Sequence, residues 1–171
     1  GVAYREQPIS HIDSLMTERQ EITPGREAPG FTYPSHSGDT VSLADLKGQY
    51  VYIDAWATWC GPCLREIPKL KELHDEMKDQ NIAFVSISMD NAEDRGKWRS
   101  MVEDRELKGY QLFANGKAFR SKLAKDYLIN SIPRFIIIGP DGEIIDPNAE
   151  RPSQGVGERL KQLVSDEKVS A

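Results

Sequence analysis

Cys60 and Cys63 are the only cysteines among 171 residues, and only Gly61 and Pro62 separate them. A pair so spaced suits thiol–disulfide exchange: one thiolate attacks a disulfide sulfur and the second thiol resolves the mixed disulfide. Two other uses fit less well. Half of a zinc site needs two further ligands, and His11, His36 and His74 stand unpaired along the chain. A purely structural bridge would close too short a loop to remove much chain entropy. Neither a metal nor a cofactor is expected.

The elements that must position this pair flank it. Val51 to Trp56 is an apolar run of β-branched and aromatic residues, interrupted only by Asp54, and it reads as a buried strand. After the cysteines, Leu64, Ile67, Leu70, Leu73 and Met77 recur at helical spacing with charged residues between them. Cys60 therefore falls where a strand ends and a helix begins. The first turn of a helix presents unpaired N–H groups and the positive end of the dipole. A thiolate there is stabilised and its pKa falls, which makes Cys60 the predicted nucleophile and Cys63 the resolving thiol. Pro62 suits the first turn, where its missing N–H costs little. Gly61 leaves the sulfur open to approach. Asp54, a carboxylate within a buried strand, should titrate high, unless it sits at an edge satisfied by hydrogen bonds.

The segment Trp59-Cys60-Gly61-Pro62-Cys63 resembles the active-site motif of thioredoxins. Asp54 stands six residues before Cys60, where thioredoxins keep a buried aspartate. Pro68 stands five after Cys63, where they keep a helix-kinking proline. Ile132-Pro133 resembles their Ile–cis-Pro pair. The opening Ala28-Pro29-Gly30-Phe31 and the extra length within 91–127 look more like the TlpA/ResA branch, extracytoplasmic thiol–disulfide oxidoreductases of bacteria. The resemblance covers Arg26 to Val164. It implies a thioredoxin fold: an α/β domain whose mixed central sheet carries helices on both faces, with an N-terminal hairpin and a helical insertion.

The same resemblance implies roles. Asp54 would take the Cys63 proton through water. Trp59, Gly61, Pro62, Ile132 and Pro133 would bind the substrate, with Pro133 cis against Cys60 and the Ile132 backbone pairing an extended client segment. The plainer alternatives are a core role for Trp59 and a trans proline that marks a strand start. Thioredoxins also place a lysine near the aspartate; here the matching position is Ser86, so Asp54 should be harder to ionise. Trp56 reads as core and Asp90 as a helix cap. Arg134 reads equally as a charge near the site or an exposed strand end.

The activity implied is reduction of protein disulfides, since Gly-Pro between the cysteines favours a reducing poise over that of DsbA. The partners implied are protein disulfide clients and an upstream thiol donor, with the protein itself a monomer. Two other readings are a peroxiredoxin-like thiol peroxidase and a redox-idle docking module of a larger secreted protein.

Lys and Arg total 22 against 27 Asp and Glu, for a net charge of −5. That balance argues against a nucleic-acid partner. No stretch is long and apolar enough to insert in a membrane. The chain starts at Gly1 with no signal peptide, and reads as a trimmed or mature fragment whose missing part was a signal, an anchor or another domain. The expected localisation is the periplasm or cell envelope.

Three regions are expected: an N-terminal helix and linker over 1–25, the thioredoxin-like domain over 26–166, and a frayed tail over 167–171. Within the first, Ser10 to Ile22 has the spacing of an amphipathic helix. Within the second, helices are expected over 91–105, 117–127 and 153–166. Strands are expected at 31–33, 41–43, 50–57, 82–88, 111–113, 134–138 and 143–145.

Overall fold

The computed structural model describes residues 22–170, so the expected helix over 10–22 lies almost entirely outside the described residues. The described chain opens with a hairpin of β1 (Thr32–Pro34) and β2 (Thr40–Ser42). A single 3₁₀ turn, Leu43–Leu46, follows. Its capping box is complete: the Asp45 N–H donates to Ser42 Oγ, and the Ser42 N–H donates to the Asp45 carboxylate.

The central sheet has five strands: β3 (Tyr50–Trp56), β4 (Ile82–Ser88), β5 (Tyr110–Phe113), β6 (Arg134–Ile138) and β7 (Ile144–Asp146). Their order is β5-β4-β3-β6-β7. β3, β4 and β5 run parallel, while β6 pairs antiparallel with both β3 and β7. The parallel β3–β4 pair is joined by α1 (Gly61–Met77), as a crossover connection requires. The helices α2 (Arg95–Asp104), α3 (Lys122–Asp126) and α4 (Val156–Ser170) complete the chain.

β3 is buried along its whole length, so its alternating residues feed two cores. Val51, Ile53 and Ala55 pack with the hairpin, the 3₁₀ turn and α3. Tyr50 and Tyr52 pack with Leu73 and Met77 of α1 and with Val156, Leu160 and Val164 of α4. A third, smaller cluster joins Trp56, Cys60 and Cys63 to Trp98 and Val102 of α2 and to Phe113 of β5. The insertion therefore shares one core cluster with the two cysteines. Two glycines let it close. Gly109 (φ +75°) lies so near β4 that a Cβ would stand 2.6 Å from the Phe84 carbonyl oxygen. At Gly116 (φ +65°) a Cβ would stand 2.7 Å from Ala92 backbone atoms.

Three helix expectations need correction. The 91–105 segment starts as a 3₁₀ turn (Ala92–Asp94) before α2. The 117–127 segment is likewise split: Ala118 takes a positive φ of 46°, and Ser121 then caps a fresh helix by accepting the Ala124 N–H. The tail is not frayed through 170. Helix α4 runs to Ser170, and its end is tied to the α1–β4 loop by Asn81 Nδ2 donating to Glu167 and Lys168 Nζ donating to Gln80.

Candidate active site

The carboxyl end of β3 delivers the chain through Ala57, Thr58 and Trp59 into α1. Cys60 is the N-cap of that 17-residue helix. Its Sγ accepts the N–H of Cys63 at 3.2 Å, so one unpaired N–H of the first turn points at the sulfur. Cys60 and Cys63 are joined in a disulfide, and each is only 4% exposed. Pro62 lies in the first turn, and a Cβ on Gly61 would meet nothing closer than Arg65 Nη1 at 3.5 Å. Pro68 sits inside α1 and supplies no N–H to its ladder.

Trp59 stands out of the surface, 51% exposed, with its ring 6.4 Å from that of Phe119. Trp56 is buried beside the cysteines. The Ile132–Pro133 peptide is cis, and half-buried Ile132 packs against the cluster that holds both cysteines. Arg134 stands at the start of β6, half-buried rather than exposed. Its Nε donates to the Pro147 carbonyl at 2.7 Å, and Nη1 reaches the Leu128 carbonyl at 3.4 Å, so its guanidinium braces two backbone segments. Burial holds its pKa below the ordinary value, against the pull of Asp146.

Asp54 lies in the middle of β3, opposite Ser86 of β4 in the register. Ser86 Oγ donates to its carboxylate at a long 3.4 Å. Burial pushes the Asp54 carboxyl up to about 7; Ser86 opposes this, and the charge of Glu66 adds to it. Glu66 is itself buried in α1, where it accepts the Ser153 N–H at 3.0 Å and the Ser153 hydroxyl at 2.5 Å.

Asp90 corrects the sequence reading. It caps no helix, because the 3₁₀ turn that follows starts from Asn91 without a side-chain cap. Instead it is fully buried and clamps the loop before Cys60. Its carboxylate accepts the Thr58 N–H at 3.1 and 3.2 Å, the Thr58 hydroxyl at 2.6 Å and the Ser88 hydroxyl at 2.6 Å. Sequence reasoning also missed Glu66 and Phe119. Phe119 carried one signal, an aromatic between Lys117 and Arg120 in a stretch without acids; Glu66 carried none, since any helix surface holds such residues.

Among the described residues no cluster of three or more His, Cys, Asp or Glu side chains is arranged to hold a metal. The chemistry on offer is that of a dithiol at a helix N-terminus with a high-titrating carboxyl in the strand before it.

Comparison with known proteins gives the same chemistry. The AhpC/TSA family matches residues 24–146. The thiol-disulfide oxidoreductase ResA of Oceanobacillus iheyensis is 34% identical over 138 residues, covering 78% of this chain and 68% of the relative. A solved thiol-disulfide oxidoreductase from Bacteroides fragilis is 31% identical, with a TM-score of 0.69, covering 81% of this chain and 99% of that one. The crystal structure of the thioredoxin domain of a Bacteroides vulgatus thiol-disulfide oxidoreductase superposes with a TM-score of 0.74 at 25% identity, covering 84% and 99%. With its Cys60–Cys63 pair at the head of a thioredoxin-fold helix, the chain belongs to the AhpC/TSA family and is a thiol–disulfide oxidoreductase.

Proposed function

We propose that the protein reduces disulfides of protein clients outside the cytoplasm, cycling Cys60 and Cys63 between dithiol and disulfide. One observation carries the assignment of roles: Cys60 Sγ receives the Cys63 N–H at the first turn of α1. A thiolate is favoured on that sulfur over its neighbour. In the first step the Cys60 thiolate forms a bond to one client sulfur, and the other client sulfur leaves as a thiolate that takes a proton from solvent. In the second, Cys63 gives its proton to the Asp54 carboxylate and its sulfur attacks Cys60. The Cys60–client bond breaks, and the second client sulfur leaves with the electron pair. The client gains two electrons, the enzyme becomes the disulfide, and an upstream thiol donor must return two electrons to Cys60–Cys63.

Trp59, Gly61, Pro62, Ile132 and Pro133 form the proposed client-docking surface. Exposed Trp59 and the open Gly61 support it, as does Ile132, which packs on the cluster that holds both cysteines. An extended client segment would pair with the Ile132 backbone. The setting we propose is the periplasm or cell envelope, by likeness to the ResA relatives, with the protein working as a monomer. No helix among the described residues is long and apolar enough to cross a membrane.

The test is Cys63→Ser incubated with a disulfide substrate such as insulin. Mixed disulfides should accumulate on Cys60; a variant that yields none has its two sulfurs assigned the wrong way round. A thiol peroxidase would instead consume hydroperoxide with a thiol as sole donor, and a redox-idle docking module would leave insulin unreduced at every poise.

A further inference from the structure

A cavity of about 20 Å³ lies between β3, β4, α1 and the segment leading into β5. Its inner wall is buried and includes Asp54, Trp56, Ser86 and Gln111; its outer wall includes the half-buried Lys71 and His74 and the exposed Lys108. That space admits one water, provided polar partners line it. Four buried side-chain polar atoms among the described residues lack a hydrogen-bond partner. Three of them, Trp56 Nε1, His74 Nδ1 and Gln111 Oε1, belong to residues lining this one cavity. Trp56 and Gln111 are only 2% and 6% exposed, so each would bear the full penalty of an unmet donor or acceptor. Burial of such groups is sustained by ordered water.

We propose that this cavity is the proton exit of the active site: a water held by Trp56 and Gln111 carries the proton from Asp54 outward, and His74 hands it to solvent at the mouth. This rests on Asp54 acting as the base for Cys63. The proton balance is closed, since each proton Asp54 takes from Cys63 leaves through the water and the imidazole, and the carboxylate is restored for the next turnover.

The groups facing the path leave the imidazole as the carrier. From α1, Lys71 Nζ is turned away to donate to the Arg105 carbonyl at 2.8 Å. From the segment before β5, Lys108 Nζ donates to Asp75 at 3.3 Å. Asp75 Oδ1 stands 3.6 Å from His74 Nδ1, beyond a hydrogen bond, leaving that nitrogen available. On the inner side, Glu66 acts on Asp54 only through its charge, its carboxylate being engaged by Ser153, and the Tyr52 hydroxyl is committed to the Glu150 carbonyl. Gln111 Nε2 is committed to the Lys108 carbonyl at 2.7 Å, so its Oε1 is the atom free for water. An imidazole has one nitrogen to accept a proton and another to give one up, which suits the mouth.

The experiment has two arms. In the wild-type protein, nuclear magnetic resonance compares the indole N–H of Trp56 with that of Trp98, which is also buried without a partner but lies outside the cavity. Trp56 should show a water cross-peak and faster solvent exchange; exchange no faster than at Trp98 would overturn the proposal. In the second arm, single-turnover resolution of a mixed disulfide is followed in weak buffer for His74→Ala and Gln111→Met. Each should slow resolution about tenfold while leaving Cys60 attack unchanged, and added imidazole should restore His74→Ala but not Gln111→Met. Wild-type rates in both variants, or slowing that imidazole does not relieve in His74→Ala, would sink the conduit. Asp54→Asn separates the two claims: if it resolves at the wild-type rate, the base assignment itself falls; if it is slow while His74→Ala is normal, only the exit path falls.

Discussion

Two buried aspartates flank the same active-site loop, and they are treated oppositely. Asp90 is fully buried, and its oxygens take hydrogen bonds from the Thr58 N–H and from the Thr58 and Ser88 hydroxyls. Asp54 is buried too, at 8% exposed, yet its side-chain donor is a single long contact from Ser86. Burial alone therefore does not assign a job to a carboxylate; the number and quality of its donors does. The well-supplied group is a clamp that fixes the approach to Cys60. The poorly supplied one keeps its proton until about pH 7 and can exchange it during turnover.

The largest break in that contrast comes from Asp90→Ala. It strands three donors inside the protein, the Thr58 N–H and the Thr58 and Ser88 hydroxyls, for a loss of at least about 3 kcal/mol at one to three per stranded donor. Urea denaturation checks it, and a loss below about 1 kcal/mol would mean that the clamp is ornamental.

Asp54→Asn should act in the other direction. Asp54 holds its proton in the fold up to about pH 7, against an ordinary value of 3.8. Between those values unfolding releases a proton, so stability falls as pH rises, and above the upper value the penalty is complete. The Asn variant should therefore gain on the order of 2–4 kcal/mol above neutrality and nothing near pH 4. Its resolution of mixed disulfides should slow by about 10²-fold. A variant equally stable at both pH values would show that the carboxyl is not held protonated.

Ser86→Ala gives the smallest effect. It removes a weak donor from Asp54, so the carboxyl midpoint should move further up, with under about 1 kcal/mol change in stability at neutral pH. Infrared titration of the protonated carboxyl band, with Asp54→Asn as the blank, reads this directly. A midpoint that falls instead would mean Ser86 does not serve the carboxylate.

Much of this was legible before the structure because it is local. The cysteines, the apolar run before them and the helical period after them are contiguous, and each signal reports on its neighbours. The apolar runs Ile82–Ser88 and Arg134–Ile138 are strands with those same bounds, because a strand buried on both faces needs no alternation. What escaped depends on pairing across the fold. Asp90 meets Thr58 only because β3 and β4 lie in parallel register, bringing residues 32 apart together; in sequence it is an acid before a helical stretch. The break at Ala118 is a backbone choice that its side chain does not announce. The last turn of α4 was expected to fray as a chain end, and its one apolar residue, Val169, is indeed 85% exposed; polar ties from Glu167 and Lys168 to the α1–β4 loop hold it instead.

The most direct check is the acidity of Cys60 in the reduced protein, read from the pH dependence of its alkylation with Cys63 replaced by serine. A sulfur at the head of α1, facing the N–H at position 63, should titrate well below the roughly 8.5 of a free thiol, at about 7.5 or lower. A midpoint at the free-thiol value would contradict the account, because the helix terminus would then confer no nucleophilic advantage on Cys60.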